Sequence, residues 1–192
     1  MDRKPPVPLL IHHGTLWVRS QRDLHRPSAR SLSQQEHLAL SGFFDPEILD
    51  KARIVIVPVI ENPNFYSDLE QMGLSAPPDF TTMTGITYND TILVSEARFP
   101  PLSHWISLLF HELAHVVQYD LLGVDEFMDQ YVRGWAQNGF DYFSIPLEKD
   151  AYELQGRYDS APGGVFSVAQ EIASRLRKRS RMEGRQEQKR EV

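Results

Sequence analysis

The chain has 192 residues, of which 41% are hydrophobic and 24% are charged. This composition fits one globular domain with a single core and excludes a collagen-like, wholly disordered or repeat protein. No window contains the roughly 18 consecutive apolar residues of a membrane span. The apolar run at residues 7–11 is too short for a signal peptide, so we expect a cytoplasmic protein. Because the chain has no cysteine, only nitrogen and oxygen atoms can hold a metal.

The net charge of −6 is unevenly distributed along the chain. Residues 175–190 contain eight Lys or Arg against two Asp or Glu, so the preceding part is markedly acidic. We interpret residues 1–172 as a single domain and residues 173–192 as a flexible, solvated basic tail. The tail has no interleaved aromatic residues and no partner motif, which argues against nucleic acid as a partner.

The first part of the chain predicts short elements in a proline-rich background. Residues 15–19 form a candidate strand and residues 33–40 a short helix, and Asp45-Pro46 begins a further helical turn. The β-branched run at residues 53–60 predicts a strand, in which Pro58 indicates a sheet edge or a bulge.

A loop over residues 73–80 precedes two further predicted strands, residues 81–88 and 91–96. They are joined at Asn89-Asp90, because these residues accept the positive φ of a tight hairpin turn. The strand that starts at residue 91 is either a cleft edge that pairs with an extended peptide or an inner strand.

After Pro100-Pro101 the apolar pattern changes to a period of about 3.6, which predicts helices. The first begins at a Ser103 cap and ends near Leu122, before Gly123. Further helices are predicted over residues 125–139, over residues 144–155 and from residue 166 onwards. Strands first and helices afterwards indicate an α+β protein.

The first of these helices carries the sequence His111-Glu112-Leu113-Ala114-His115, an H-E-x-x-H motif. Histidines four residues apart lie on one face of a helix, so both imidazoles can reach one ion. A zinc ion with three protein ligands keeps a position for water and lowers the pKa of that water, and a neighbouring carboxylate can then take its proton. The motif predicts His111 and His115 as metal ligands and Glu112 as the general base.

The helical wheel supports this interpretation. His104, Ser107 and Gln118 share the side of the two histidines, whereas apolar residues cover the opposite side. His104 is two helical turns, about 10 Å, from His111 and is too far away to be a ligand. The alternative is a helix with two ordinary histidines and a solvated glutamate.

The third ligand has to come from elsewhere in the chain. A histidine six residues after the motif is excluded, because Leu121 stands at that position, and a cysteine ligand is excluded by composition. Glu148 is the best candidate: it lies on a later helix, where the small Ala151 one turn further on permits a close approach. A solvent-facing role for Glu148 is the alternative, and the rival ligands are Glu126, Asp129 and Glu153.

Tyr152 follows Glu148 by four residues and would point the same way. It is placed to hydrogen-bond a ligand histidine or the oxyanion of a substrate, although core packing is an equal alternative. Tyr119, Tyr131, Tyr142 and Tyr158 also lie near the motif in sequence and are further candidates to stabilise the oxyanion, but only Tyr152 has a geometric argument.

The segments HELAHVVQ (residues 111–118) and PLEKDAY (residues 146–152) together resemble the zincin superfamily, specifically its glutamate-ligand branch, the gluzincins. Within that branch they look like small bacterial metallopeptidases. The resemblance implies a zincin-like fold, with a small mixed sheet beside the metal-binding helix and a mostly helical C-terminal half. It also implies Zn2+ held by His111, His115 and Glu148, with Glu112 as the base. Ala151-Tyr152 departs from the family pattern, in which an acidic residue often helps to orient the histidines.

We therefore expect a zinc-dependent metallopeptidase that acts on a peptide or protein through a metal-bound water activated by Glu112. One alternative is a binding or regulatory protein that retains the metal but cleaves nothing. The other is a structural protein without a metal.

Overall fold

Seven α-helices and three β-strands make up the part of the chain that the computed structural model describes: residues 6–72, 74, 78–161 and 163–190, of which residues 183–190 are described by backbone alone. The protein is thus α+β, as predicted, with a small mixed sheet and mostly helical content. The helices are α1 (Val7–His25), α2 (Gln34–Leu40), α3 (Pro46–Lys51), α4 (Phe65–Gln71), α5 (Trp105–Gln137), α6 (Pro146–Ser160) and α7 (Val168–Arg190). The strands are β1 (Arg53–Val57), β2 (Gly85–Tyr88) and β3 (Thr91–Ser95).

The sheet has the order β1-β3-β2, in which β3 pairs parallel with β1 and antiparallel with β2. Asn89 has a φ of 59° in the turn between β2 and β3, which confirms the predicted hairpin. Strand β1 is at a sheet edge and ends before Pro58, as that proline indicated. Of the two alternatives for the strand that starts at residue 91, the inner strand is correct, because β3 is central and all its residues are buried.

Helix α1 occupies the region where a strand was predicted at residues 15–19, so that prediction is wrong. Its buried residues Leu10, Gly14 and Val18 recur every four positions, the spacing of one helical face. A window of five residues is too short to distinguish this period from strand alternation.

Helices α2 and α3 confirm the predictions for their regions. Ser33 and Glu36 form a reciprocal capping box at the start of α2, and Pro46 occupies the first turn of α3. Helix α4 was not predicted, and helices precede and separate the strands, so the predicted order of strands first and helices afterwards is wrong for this half. The predicted loop at residues 73–80 lies partly outside the described residues; Phe80 begins a short 3-10 turn.

Helix α5 contains a sharp kink at Gly123, whose φ of 72° and ψ of 167° are not helical. This confirms the predicted break, which divides α5 into the motif-bearing half before Gly123 and a second half after it. The predicted Ser103 cap is wrong: His104 precedes α5, and its side chain makes no capping hydrogen bond. Helix α6 also continues five residues beyond its predicted end at residue 155, to Ser160.

Two apolar clusters lie on either side of the motif-bearing half of α5. One contains Leu109, Phe110 and Leu113 and joins α5 to helices α2, α3, α6 and α7. The other contains Tyr119 and Phe127 and joins α5 to α1, α4 and the sheet. The polar face of the motif-bearing half of α5 is therefore enclosed by protein, because one of these two clusters lies on each side of it.

Helix α7 crosses the predicted boundary between residues 172 and 173. Asp150 on α6 is buried and accepts hydrogen bonds from Arg175 (3.1 Å) and Arg179 (2.6 Å) on α7. The division into a domain and a tail remains a prediction. None of the helices in the described ranges is both long and apolar enough to cross a membrane.

Candidate metal centre

The three residues predicted as metal ligands converge on one point. The Nε2 atoms of His111 and His115, one turn apart on α5, lie 3.2 Å from each other. Oε2 of Glu148, in the first turn of α6, lies 3.5 Å from the first and 3.4 Å from the second. All three side chains are buried, and their potential ligand atoms lie within 4.8 Å of one another. The described part of the chain holds no other such group of three His, Asp or Glu residues.

Close contact between α5 and α6 brings Glu148 to the histidines. Gln118 on α5 donates from Nε2 to the backbone carbonyl of Leu147, at 2.9 Å, next to Glu148. Ala151 is fully buried in the cluster that joins the two helices. A Cβ atom at Gly134 would come within 2.6 Å of Pro146 Cδ. Small residues at these contacts therefore permit the approach that places the carboxylate.

Both imidazole rings are oriented by glutamine side chains. Nδ1 of His115 lies 2.8 Å from Oε1 of Gln118, and Nδ1 of His111 lies 3.1 Å from Oε1 of Gln155. An amide oxygen only accepts hydrogen bonds, so Nδ1 donates in each ring, and Nε2 is the nitrogen that faces the centre and binds a metal once it has lost its proton. Gln155 in turn donates to Ser107. The two glutamines therefore orient the imidazole rings.

The carboxylate of Glu148 is held at one oxygen and free at the other. Tyr131 donates its hydroxyl proton to Oε1 at 2.8 Å. Oε2 is buried and accepts no hydrogen bond from any residue in the described ranges. A buried carboxylate oxygen without a donor is costly, and a cation between it and the two Nε2 atoms would satisfy it. Two imidazoles and one carboxylate are a ligand set that zinc accepts, so the residues fit a metal.

The charges in this enclosed site shift the pKa values of its acids and bases. Burial alone would raise the pKa of Glu148, but the two histidines hold it well below its usual range. Burial alone would lower the pKa of His115, but the Glu148 carboxylate raises it to about 9. Burial raises the pKa of Glu112, although both histidines and Thr87 partly oppose the effect. Glu148 is thus the anion of the site, and Glu112 is the carboxyl group that takes up a proton more readily.

Glu112 is buried beside the metal ligands and is positioned by strand β2. Thr87 Oγ1 donates to Oε2 of Glu112 at 2.7 Å. Gly85 lies against the other carboxylate oxygen: a Cβ atom at this position would be 2.5 Å from Oε1 of Glu112. Strand β2 therefore positions both carboxylate oxygens of Glu112. Thr87 donates a hydrogen bond to one, and Gly85, which has no side chain, leaves room for the other.

Tyr152 lies beside the site, with its ring centroid 4.4 Å from that of His111 and with 42% of its surface exposed. The other predicted candidates lie elsewhere. Asp129 and Glu153 form ion pairs with Arg133 and Arg175, and Glu126 accepts a hydrogen bond from Gln130. Asp150, two residues from Glu148, faces α7 and pairs with Arg175 and Arg179.

Sequence reasoning did not identify four of the residues that shape the site: Tyr131, Thr87, Gly85 and Gln155. Gln118 was placed on the correct helical face, and its spacing of three residues from His115 is the signal that could have given it a role. Tyr131 lies near the motif in sequence, but its position alone gives it no role. Its contact with Glu148 depends on the kink at Gly123. The sequence predicts where this kink lies but not the angle between the two halves of α5.

Two spaces meet at the side chains of His111 and Glu112. The first, here called the inner cavity, has a volume of about 70 Å³ and also borders His115, Glu148 and Tyr131. The second, here called the outer groove, has a volume of about 440 Å³. Its walls include Met83, Gly85, Leu108, Tyr142, Phe143, Tyr152 and Gln155. The candidate ligands are thus buried in protein, yet His111 lies beside an outer groove that can admit a molecule.

Comparison of the chain with protein-family models, curated proteins and solved structures found no match.

Proposed function

We propose that this protein is a zinc-dependent metallopeptidase with a zincin-like fold. The observation that carries the proposal is the convergence of His111, His115 and Glu148, with a buried carboxylate oxygen that lies beside both imidazoles and accepts no hydrogen bond from the described residues. The carboxylate of Glu112 lies in the next position of the same helix and borders both spaces at the site. The small mixed sheet beside this helix is consistent with the fold that the motif implies.

When bound, zinc would supply a Lewis acid that polarises a carbonyl group and makes a water molecule more acidic. Glu112 accepts the proton of the attacking water and later delivers it to the leaving amine. Its raised pKa suits this alternation, because burial brings the protonated form closer to neutral pH. Thr87 keeps one oxygen of Glu112 occupied, so the other is the one available for the proton.

Tyr152 is the proposed donor to the oxyanion that forms when water attacks the carbonyl. Its ring contacts that of His111, and Tyr152 and Tyr142 both line the outer groove. A phenol at this position can donate a hydrogen bond where negative charge develops. The outer groove would hold the peptide in an extended conformation beside β2, which is a sheet edge.

The metal is tested by measuring zinc in the purified full-length protein and cleavage of an unfolded polypeptide before and after removal of zinc by a chelator. We expect close to one zinc per chain and loss of cleavage on chelation, because three ligands converge on a single point. The variant His111→Ala should lose zinc. The control His104→Ala removes an exposed histidine just before α5 and should retain it. Equal zinc contents in both variants, or cleavage insensitive to the chelator, would contradict the proposal.

Gly85→Ala tests the position of the general base. The added methyl group would lie 2.5 Å from Oε1 of Glu112 and must displace the carboxylate. We expect hydrolysis to fall about 100-fold, since displacement of a catalytic group by about 1 Å has an effect of that size. Zinc content should not change, because the three atoms nearest the added methyl group all belong to Glu112, which is not a predicted ligand. Gly156→Ala is the matched control, since its Cβ would meet no atom within 4 Å. A Gly85→Ala protein with full activity would argue against Glu112 as the base.

One observation favours a second function, a metal-retaining binding protein without catalysis. The side chains of His111, Glu112, His115 and Glu148 are each only 3% to 6% exposed. A site closed to this degree would keep a metal ion while excluding a polypeptide. Zinc binding without cleavage of any unfolded polypeptide would support this second function.

A further inference from the structure

A series of hydrogen bonds, here called the polar relay, leads from His111 to the surface of the protein. Nδ1 of His111 lies 3.1 Å from Oε1 of Gln155, whose Nε2 donates to Oγ of Ser107 at 2.9 Å. The Ser107 hydroxyl in turn donates to Oδ2 of Asp159 at 2.9 Å. His111 is buried, whereas Asp159 is exposed. The polar relay therefore connects a carboxylate at the surface with a predicted metal ligand.

The carboxylate of Asp159 fixes the direction of the polar relay. A carboxylate only accepts hydrogen bonds, whereas a serine hydroxyl can both donate and accept. The one hydroxyl proton of Ser107 is used on Asp159, so its oxygen is left to accept from the amide nitrogen of Gln155. The amide oxygen of Gln155 then faces His111, where it accepts a hydrogen bond from Nδ1.

The second imidazole is held without such a residue. Gln118, which faces Nδ1 of His115, donates from its amide nitrogen to the main-chain carbonyl of Leu147. Since a carbonyl group only accepts, the backbone itself fixes the orientation of Gln118. At Gln155 the corresponding partner is a hydroxyl group, which can act as donor or acceptor. The residue beyond that hydroxyl, Asp159, is therefore the one that decides the orientation of Gln155.

The position of Asp159 is unfavourable for helix α6 itself. It is the last residue but one of this helix, which ends at Ser160. The C-terminal end of a helix carries partial negative charge, so a carboxylate there is repelled rather than stabilised. The hydrogen bond from Ser107, and not the stability of α6, is thus the interaction that gives Asp159 a role.

We propose that Asp159 is a positioning residue of the metal centre. Through Ser107 and Gln155 it keeps a proton on Nδ1 of His111, so that Nε2 is the nitrogen that loses its proton and binds the metal. This inference rests on the metal-binding part of the proposed function and not on peptide cleavage. Partners outside the ligand set fix the tautomer and the orientation of a metal-binding histidine in this way.

Asp159→Asn in the full chain tests the proposal through zinc affinity, measured by competition with a chromogenic chelator. Asparagine has the same shape, but its amide can donate to Ser107 as well as accept from it, so the direction of the polar relay is no longer fixed. We expect zinc binding to weaken about tenfold, the lower end of the range for partners outside the ligand set. Glu153→Gln is the matched control, because it removes the same charge from another exposed position of α6 and should bind zinc as the wild type does. Equal affinities of the two variants would overturn the proposal.

A double-mutant cycle tests whether Asp159 acts through Ser107. Ser107→Ala removes the hydroxyl and should weaken zinc binding to a similar extent. In this background Asp159→Asn should have no further effect, because the polar relay is already broken, and additive losses would overturn the proposal. The unfolding temperature of Asp159→Asn should not fall, since a negative charge leaves the C-terminal end of α6. Zinc affinity and unfolding temperature lowered together would indicate a structural role and would also overturn it.

NMR of the metal-free protein separates this proposal from the proposed function. The Nδ1–H signal of His111 is identified by its absence in His111→Ala. We expect its exchange with water to be about tenfold faster in Asp159→Asn than in the wild type or Glu153→Gln, because hydrogen bonds along a relay strengthen one another. Equal exchange rates would overturn the inference, and a wild type that binds zinc would still support the proposed function. Faster exchange in Asp159→Asn and no zinc binding by the wild type would contradict the proposed function, while the action of Asp159 on His111 would stand.

Discussion

Replacement of Glu112 by glutamine is expected to leave one zinc per chain and to reduce peptide hydrolysis by roughly 10²–10⁴-fold, the usual contribution of a general base. Glutamine has the size of glutamate, and its amide oxygen can still accept the hydrogen bond that Thr87 donates to Glu112. It cannot take a proton from water. The variant therefore removes the proton transfer and leaves the packing between α5 and β2 in place.

The measurement is a steady-state rate on an unfolded polypeptide, taken together with the zinc content of the same sample. Glu153→Gln is the matched control, because Glu153 is exposed on α6 and pairs with Arg175 away from the site. Glu112→Gln protein that keeps zinc and cleaves at the wild-type rate would rule out Glu112 as the base. Loss of zinc from this variant would mean that Glu112 also contributes to metal binding.

Glu148→Gln is expected to weaken zinc binding by more than about 100-fold. Loss of a hydrogen-bonding partner outside the ligand set already weakens metal binding about 10–100-fold, and Glu148 is expected to bind the metal directly. The substitution keeps the acceptor for Tyr131 but removes the only negative charge among the three converging residues. Competition with a chromogenic chelator measures the change in affinity.

Two further variants provide reference points for the change in zinc affinity. Tyr131→Phe removes the hydrogen bond to Oε1 of Glu148 and should weaken zinc binding about 10–100-fold, between the wild type and Glu148→Gln. Glu126→Gln alters an exposed glutamate that sequence reasoning treated as a rival ligand, and it should have no effect. Zinc affinity lowered by Glu126→Gln and not by Glu148→Gln would contradict the proposed ligand set.

The sequence predicts the parts of the site that depend on local geometry. The spacing of His111 and His115 fixes their common face, because a helix has about 3.6 residues per turn. Glu148 was the favoured third ligand because it lies on a separate helix next to a small residue, Ala151, and the structure brings it to the histidines. Its role as a ligand remains a prediction that the zinc measurements test.

The sequence does not predict contacts that depend on how distant elements pack. Thr87 and Gly85 look like ordinary strand residues, and only the position of β2 against α5 brings them to Glu112. Helix α1 was missed for a related reason. Its buried face is defined by contacts with residues far along the chain, and the short segment at residues 15–19 carries too little of the helical period to reveal it.

The bend at Gly123 makes residues that are distant along one helix into neighbours around one carboxylate. Between His115 and Tyr131 there are 16 steps along the chain, which in an unbroken helix would span about 24 Å. Instead, both residues reach Glu148, one on each oxygen. The backbone conformation of Gly123 therefore determines whether Tyr131 can donate its hydrogen bond to the carboxylate of Glu148. Substitutions at this bend are expected to change the zinc affinity although the three ligands stay the same.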